Sequence, residues 1–151
     1  MSLFNGFNIS ASGLTANRLR MDVVSSNIAN ANTTRGELVN GEWMPYRRKS
    51  VELTQSGVSP FEQKLQSTMN KGNGNVSGVT VAKIEEDPTP FQLSYDPTHP
   101  DADENGYVRL PNVDPIKEMV DLMSATRSYE ANVTALNASK SMFMKALEIG
   151  K

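Results

Sequence analysis

The sequence predicts a mainly α subunit with a small β-containing middle segment, its long N- and C-terminal helices paired in coiled-coil fashion into an elongated shape. Three observations carry this reading. Apolar residues recur every seven positions near both ends of the 151-residue chain. The stretch between the ends is polar and turn-rich, holding seven of the eight prolines. Hydrophobic residues make up 38% and mean hydropathy is −0.44, low for a chain that must build one compact core. The organisation expected is an N-terminal helical segment (1–34), a loop- and strand-rich middle (35–112) and a C-terminal helical segment (113–151).

Phe7, Leu14, Met21 and Ile28 stand seven apart, with Val24 and Ala31 three beyond Met21 and Ile28, an a/d-like seam. A second set, Ile9, Ala16 and Val23, lies roughly opposite at 100° per residue. A helix apolar on two sides needs neighbours on two sides. Asn8 or Ser10 is the expected N-cap. Asn27, Asn30, Asn32, Thr33, Thr34 and Gly36 close the segment, because such residues favour caps and turns.

At the other end, Asp114 before Pro115 reads as an N-cap with proline at the first helical position. Leu122, Tyr129, Leu136 and Phe143 then repeat every seven residues, widened by Met119, Val133, Met144 and Leu147. Ala131, Ala135 and Ala138 give the reverse face a small-residue strip, flanked by Val120, Met142 and Ile149. Neither proline nor glycine occurs from Ile116 to Ile149, so a helix of about 50 Å is expected. Packing the two ends together covers one stripe of each helix. The second faces then remain for self-association.

In the middle, strands are expected over Tyr46–Leu53, Val76–Ile84, Phe91–Tyr95 and Tyr107–Leu110, with a flexible loop at Asn70–Asn75. So few apolar residues do not make an independent core.

The chemistry of catalysis is thin. Cysteine is absent, which removes disulfides, thiolates and Cys-built zinc sites. No cofactor motif is present: Gly72-Asn73-Gly74 matches no phosphate-binding fingerprint, and no Ser or Thr sits in a nucleophile motif. The run Asp101 to Val108 resembles the first eight positions of a calcium loop, but position twelve is Asn112 rather than a bidentate Glu. An Asx-rich turn reversing the chain before Tyr107 is the expected structure. His99, the single histidine, lies between prolines and is expected to hydrogen-bond locally. Tyr46-Arg47-Arg48-Lys49 is too short a basic run for nucleic acid in a chain of net charge −2; it reads as a solvated strand edge, or in an assembly as a run that meets acidic neighbours. Trp43 fits either a local or an interface anchor. The N-terminus lacks the pattern of a cleavable signal, and no segment approaches a membrane span.

Ser12-Gly13-Leu14-Thr15-Ala16, with Asn27-Ile28-Ala29-Asn30-Ala31-Asn32-Thr33-Thr34, resembles the N-terminal signature of bacterial flagellar rod, hook and hook-associated proteins. Glu118-Met119-Val120-Asp121-Leu122-Met123, with Arg127-Ser128-Tyr129-Glu130-Ala131-Asn132, resembles the C-terminal signature of the same axial family. The middle runs Asp96–Asp103, Gly106–Val108 and Pro111–Asp114 are similar to proximal-rod members.

The resemblance implies a non-catalytic structural subunit of the proximal rod of the basal body. Such a subunit assembles helically around the export channel and transmits torque. It would be exported without a cleaved signal through the flagellar type III apparatus and reside on the periplasmic side. Partners would be copies of itself, other rod proteins and the adaptor joining rod to membrane ring. Leu14, Met21, Val24 and Ile28 are expected to face Leu122, Tyr129, Leu136 and Phe143 within one subunit. Ile9, Ala16, Val23, Asn27, Asn30, Asn32, Arg127 and Asn132 are expected between subunits, so Val23→Asp should block assembly and spare the monomer. The competing class is a soluble adaptor docking partner helices through its amphipathic termini.

Overall fold

The computed structural model describes residues 3–56, 68 and 77–149. Helix α1 spans Leu3–Ala29 and helix α2 spans Pro115–Ile149. Between them lie β1 (Glu37–Val39), β2 (Glu42–Met44), β3 (Lys49–Gln55), β4 (Val79–Glu86), β5 (Gln92–Tyr95) and β6 (Tyr107–Leu110). Among the described residues these form three two-stranded sheets, β1–β2, β3–β4 and β5–β6. The mainly α class with a small β middle is therefore the observed one, and the two helices pack on each other.

Helix α1 begins ahead of the expected caps, so Asn8 and Ser10 lie inside it and Ser10 is buried. No proline falls in Leu3–Phe7, the helix runs through Gly6, and Phe7 belongs to the heptad that continues through Leu14. Its C-terminal end is chemical. Asn30 N–H reaches Ser26 O at 3.1 Å, the next bond tightens to Ala31 N–H on Ile28 O, and Asn30 Nδ2 takes Ser26 O again at 2.9 Å. Thr33 Oγ1 donates to Asn30 Oδ1. The side chains thus compete for the carbonyls that another helical turn would use. For α2 the cap is as expected: Asp114 Oδ1 accepts from Ile116 N–H at 3.0 Å and Lys117 N–H at 3.4 Å.

The β1–β2 hairpin was not among the expected strands. It is antiparallel with Leu38 opposite Trp43, and it turns on Asn40 (φ 53°) and Gly41 (φ 89°). Two positive φ values in succession form the turn that Asn-Gly favours between twisted strands. β3 begins three residues later than expected and β4 ends two residues later. β5 pairs antiparallel with β6, Tyr95 opposite Tyr107. Its connection is the expected Asx-rich reversal: Gly106 N–H meets Asp103 O, Asp103 N–H meets Tyr107 O, and Gly106 adopts φ 78°. The expected Asn70–Asn75 loop lies outside the described residues.

Two compact units divide the chain, each taking part of both helices and part of the middle. One comprises Met1–Leu19, Glu52–Lys83 and Ala125–Lys151; the other comprises Arg20–Val51 and Ile84–Ser124. In the first, the buried residues among those described are small: Ser10, Ala16 and Ala125. Gly13 there brings α1 close to α2, since a Cβ on it would stand 3.0 Å from Asn132 Oδ1. In the second unit, Val23, Val24, Val108 and Val113 are buried together with the polar Asn27 and Glu118.

Candidate functional site

The second unit is held by a polar node that joins α1, α2 and the chain entering β3. Asn27, on the last turn of α1, and Glu118, on the first turn of α2, are both 0% exposed. Every hydrogen-bonding position of the Asn27 amide is used. Its Nδ2 donates to Lys49 O at 2.8 Å and Glu118 Oε2 at 2.9 Å, and its Oδ1 accepts from Tyr46 Oη at 2.9 Å and Lys49 N–H at 3.0 Å. An amide so saturated fixes the register of the helix pair, because a slip of either helix strands several buried groups at once.

Glu118 is held from the other side by Arg48, whose Nε donates to Oε1 at 2.6 Å. The same guanidinium pairs with Asp87 at 3.4 Å and Asp121 at 3.6 Å, and Arg20 reaches Asp121 at 3.6 Å. Burial opposes the Arg48 charge, but the Glu118 bond and the fields of Glu118, Asp87 and Asp121 outweigh it and hold its pKa above the ordinary value. Asn112 Oδ1 accepts the Arg48 N–H at 2.8 Å, while its Nδ2 donates to Asp87 O and to Thr89. Bonds from the Thr89 backbone and hydroxyl, aided by Arg48, keep Asp87 below the usual carboxylate range. Among the described residues, no buried side-chain nitrogen or oxygen lacks a hydrogen-bond partner.

A smaller clamp ties the end of α1 to the loop before β6. Asp101 accepts from Arg35 Nε and from Thr34 Oγ1, each at 2.8 Å, and these bonds lower its pKa. His99 Nδ1 accepts the Asp101 N–H, the local role expected of it. Gly36 is required nearby, since a Cβ there would stand 2.7 Å from the Tyr46 nitrogen.

Sequence reading did not find most of this node. The basic run is not a solvated edge: Arg47 lies 4.6 Å over the Phe91 ring, Arg48 sits in the node, and Lys49 supplies backbone groups to Asn27. The usable signal was Glu118 itself, seven residues before Ala125 and four before Leu122, a charge on the inward side of the stripe.

The residues expected at interfaces fall into distinct places. Ala16, Val23 and Asn27 are buried within the chain and Ile9 is half-buried, so these α1 positions do not form a free face. Val23→Asp would bury a carboxylate and does not separate assembly from folding. Asn30 is half-buried in the helix end, Asn132 is half-buried beside Gly13, and Asn32 and Arg127 are exposed. Of the expected internal set, Val24 is buried, while Leu14, Met21, Ile28, Leu122, Tyr129, Leu136 and Phe143 are half-buried. The positions of deepest burial carry small or polar residues because the helices approach closely there, and the larger side chains flank them. The outward side of α2 in the second unit carries Ile116, Met119, Val120 and Met123, all exposed.

A family model described as Flagella basal body rod protein matches residues 7–35, and one described as Flagellar basal body rod FlgEFG protein C-terminal matches residues 104–149. The chain is 64% identical to the flagellar basal-body rod protein FlgC of Bacillus subtilis (strain 168), over the whole of both chains. The chain belongs to the FlgC family of flagellar basal-body rod proteins. It is 46% identical to the FlgC protein of Borreliella burgdorferi over 99% of this chain and 98% of that one, and 41% identical to that of Salmonella typhimurium over all of both. This family is structural rather than enzymatic, and the chain is a structural subunit of the flagellar basal-body rod. Its partners are copies of itself and other rod proteins, and its place is the flagellum. The two matched segments contain both ends of the node, Asn27 and Glu118.

Proposed function

We propose that this rod subunit belongs to the proximal rod, where copies assemble helically around the export channel and transmit torque. The observation that carries the reading is the division of labour on α2. Its inward side is latched to α1 by Asn27, Glu118 and Arg48, while its outward side presents Ile116, Met119, Val120 and Met123. A torque-bearing subunit needs this arrangement: a helix pair whose register cannot slip, and a separate adhesive surface for neighbours. Leu14, Met21, Val24 and Ile28 with Leu122, Tyr129, Leu136 and Phe143 form the seam inside the subunit. Asn32 and Arg127 add polar contacts to neighbours. The chain is exported through the flagellar type III apparatus without a cleaved signal, comes to the periplasmic side, and meets the adaptor between rod and membrane ring.

Deletion of the gene tests this. Cells without the chain should be non-motile, with membrane rings that carry no rod, and a tagged copy should restore both and copurify with basal bodies. Deletion cells that swim or build complete rods would sink the proposal.

A further inference from the structure

Helical assembly joins copies through two different patches on each chain, because a heterologous contact repeats without closing. The second unit carries two exposed apolar patches of complementary character. The first is the α2 strip Ile116, Met119, Val120 and Met123, at helical spacing i, i+3, i+4, i+7. The second is the outer face of the β5–β6 hairpin, with Leu93, Tyr95 and Tyr107 exposed while Val108, on the opposite face, is buried. This aromatic face is firmly built. Tyr95 and Tyr107 meet edge to face at 5.3 Å, and Gly106 leaves room for the Tyr95 ring, which a Cβ would approach to 3.1 Å.

The charges around the patches are complementary as well. On the hairpin side, Arg109 is paired with Glu42 and Asp101 with Arg35, which leaves Asp103 and Glu104 exposed with no ion pair among the described residues. Beside the strip, Asp114 accepts the cap bonds of α2 and Asp121 is engaged by Arg20 and Arg48, which leaves Lys117 exposed with no ion pair among the described residues. One patch is thus methionine-rich with a free cation, and the other aromatic with two free carboxylates. Methionine sulfur against aromatic rings is a favourable contact, and charges at the rim set orientation.

We propose that the α2 strip of one copy docks on the β5–β6 face of the next, with Lys117 meeting Asp103 and Glu104 across the contact. This rests on the reading of the chain as a self-assembling rod subunit and names the surfaces by which it does so.

The absence of cysteine makes the test direct. Met123→Cys and Leu93→Cys are expressed together as separate copies in deletion cells, basal bodies are purified, and a short bis-maleimide is applied. A cross-linked species of twice the chain mass is expected from the mixture and not from either variant alone. If both variants enter basal bodies and the mixture yields no such species, or a species containing another protein, the pairing is wrong and the rod reading stands. If neither the variants nor the wild-type chain enters basal bodies, the rod reading itself fails. Charge exchange gives a second readout. Lys117→Glu alone, and Asp103→Lys with Glu104→Lys, should each reduce swimming several-fold, and the triple variant should recover most of it. Reductions that merely accumulate in the triple variant would overturn the pairing.

Discussion

Over its first ten residues, α2 has two sides that reverse the usual pattern of a surface helix. The side turned toward its own chain carries Glu118 and Asp121, engaged by Asn27, Arg48 and Arg20. The side turned away carries Ile116, Met119, Val120 and Met123. In a self-contained globule the apolar side faces inward. Here two engaged carboxylates share the inner side with the half-buried Leu122, and four apolar side chains stand exposed on the outer side. The two sides serve different ends. Satisfied buried polar groups define one arrangement sharply, whereas apolar surface adheres and tolerates repetition. A subunit that must fold to one register and then pack against neighbours has use for both.

The strongest way to break this contrast is on the inward side. Glu118→Ala removes the carboxylate that Arg48 and Asn27 share, leaving a half-buried guanidinium and an amide hydrogen without their partner. Removing one member of a buried pair costs about 3–5 kcal/mol. Urea denaturation of the purified variant should show that loss. A change under about 1 kcal/mol would mean water replaces the carboxylate and the node does not set the fold.

Next in size is Gly36→Ala. The added Cβ meets backbone at Tyr46, which cannot rotate away as a side chain would. Overpacking of this kind costs about 1–3 kcal/mol. The strain is placed between the end of α1 and Tyr46, so the variant should also disturb the Tyr46 bond to Asn27. A shifted amide resonance at Asn27 would show the coupling, and an unchanged one would confine the damage to the β1–β2 hairpin.

The sequence made the two helices legible because both express long-range periodicity, and the Asp114–Pro115 start of α2 was readable to the residue. β5 and β6 were bounded by prolines and an Asx-rich turn, and so were also visible. The β1–β2 hairpin was missed although Asn40-Gly41 is a strong hairpin signal, because its three-residue strands show no alternation to support it. The node was hidden for a different reason. Arg48 and Glu118 are seventy positions apart, and charge pairing across such a distance leaves no local pattern. Heptad spacing puts Ala16 and Val23 on a second stripe expected to face neighbours, whereas both are buried within the chain. At Gly13, Ala16 and Ala125 small size is what the seam requires.

On the outward side the expected effect is small for the monomer and large for the assembly. Val120→Asp changes an exposed residue, and such substitutions shift stability by no more than about 0.5 kcal/mol. Its urea midpoint should therefore match wild type while swimming and rod formation are lost. A variant that folds and swims normally would show that this face touches nothing. One that unfolds would show that the contrast between the two sides is false.

The gentlest test compares the buried pair with an exposed one. Arg35 and Asp101 make the same kind of contact as Arg48 and Glu118, but in solvent, where screening reduces its worth. The bonds from Arg35 and Thr34 depress the Asp101 pKa in the folded state. A depressed carboxylate pKa contributes stability that is present above the unfolded value, near 3.8, and is lost as pH falls through the lower folded value. Carbon-detected titration of the Asp101 carboxyl should place its midpoint below the ordinary range in wild type. In Arg35→Ala the midpoint should move back toward the ordinary value without reaching it, since Thr34 remains. Added salt should shrink the difference between the two proteins at Asp101 and leave the effect of Glu118→Ala nearly intact, because the Glu118 carboxylate is out of reach of the ions. Equal salt sensitivity at both pairs would show that the node is as wet as the surface clamp, and the contrast drawn between them would not hold.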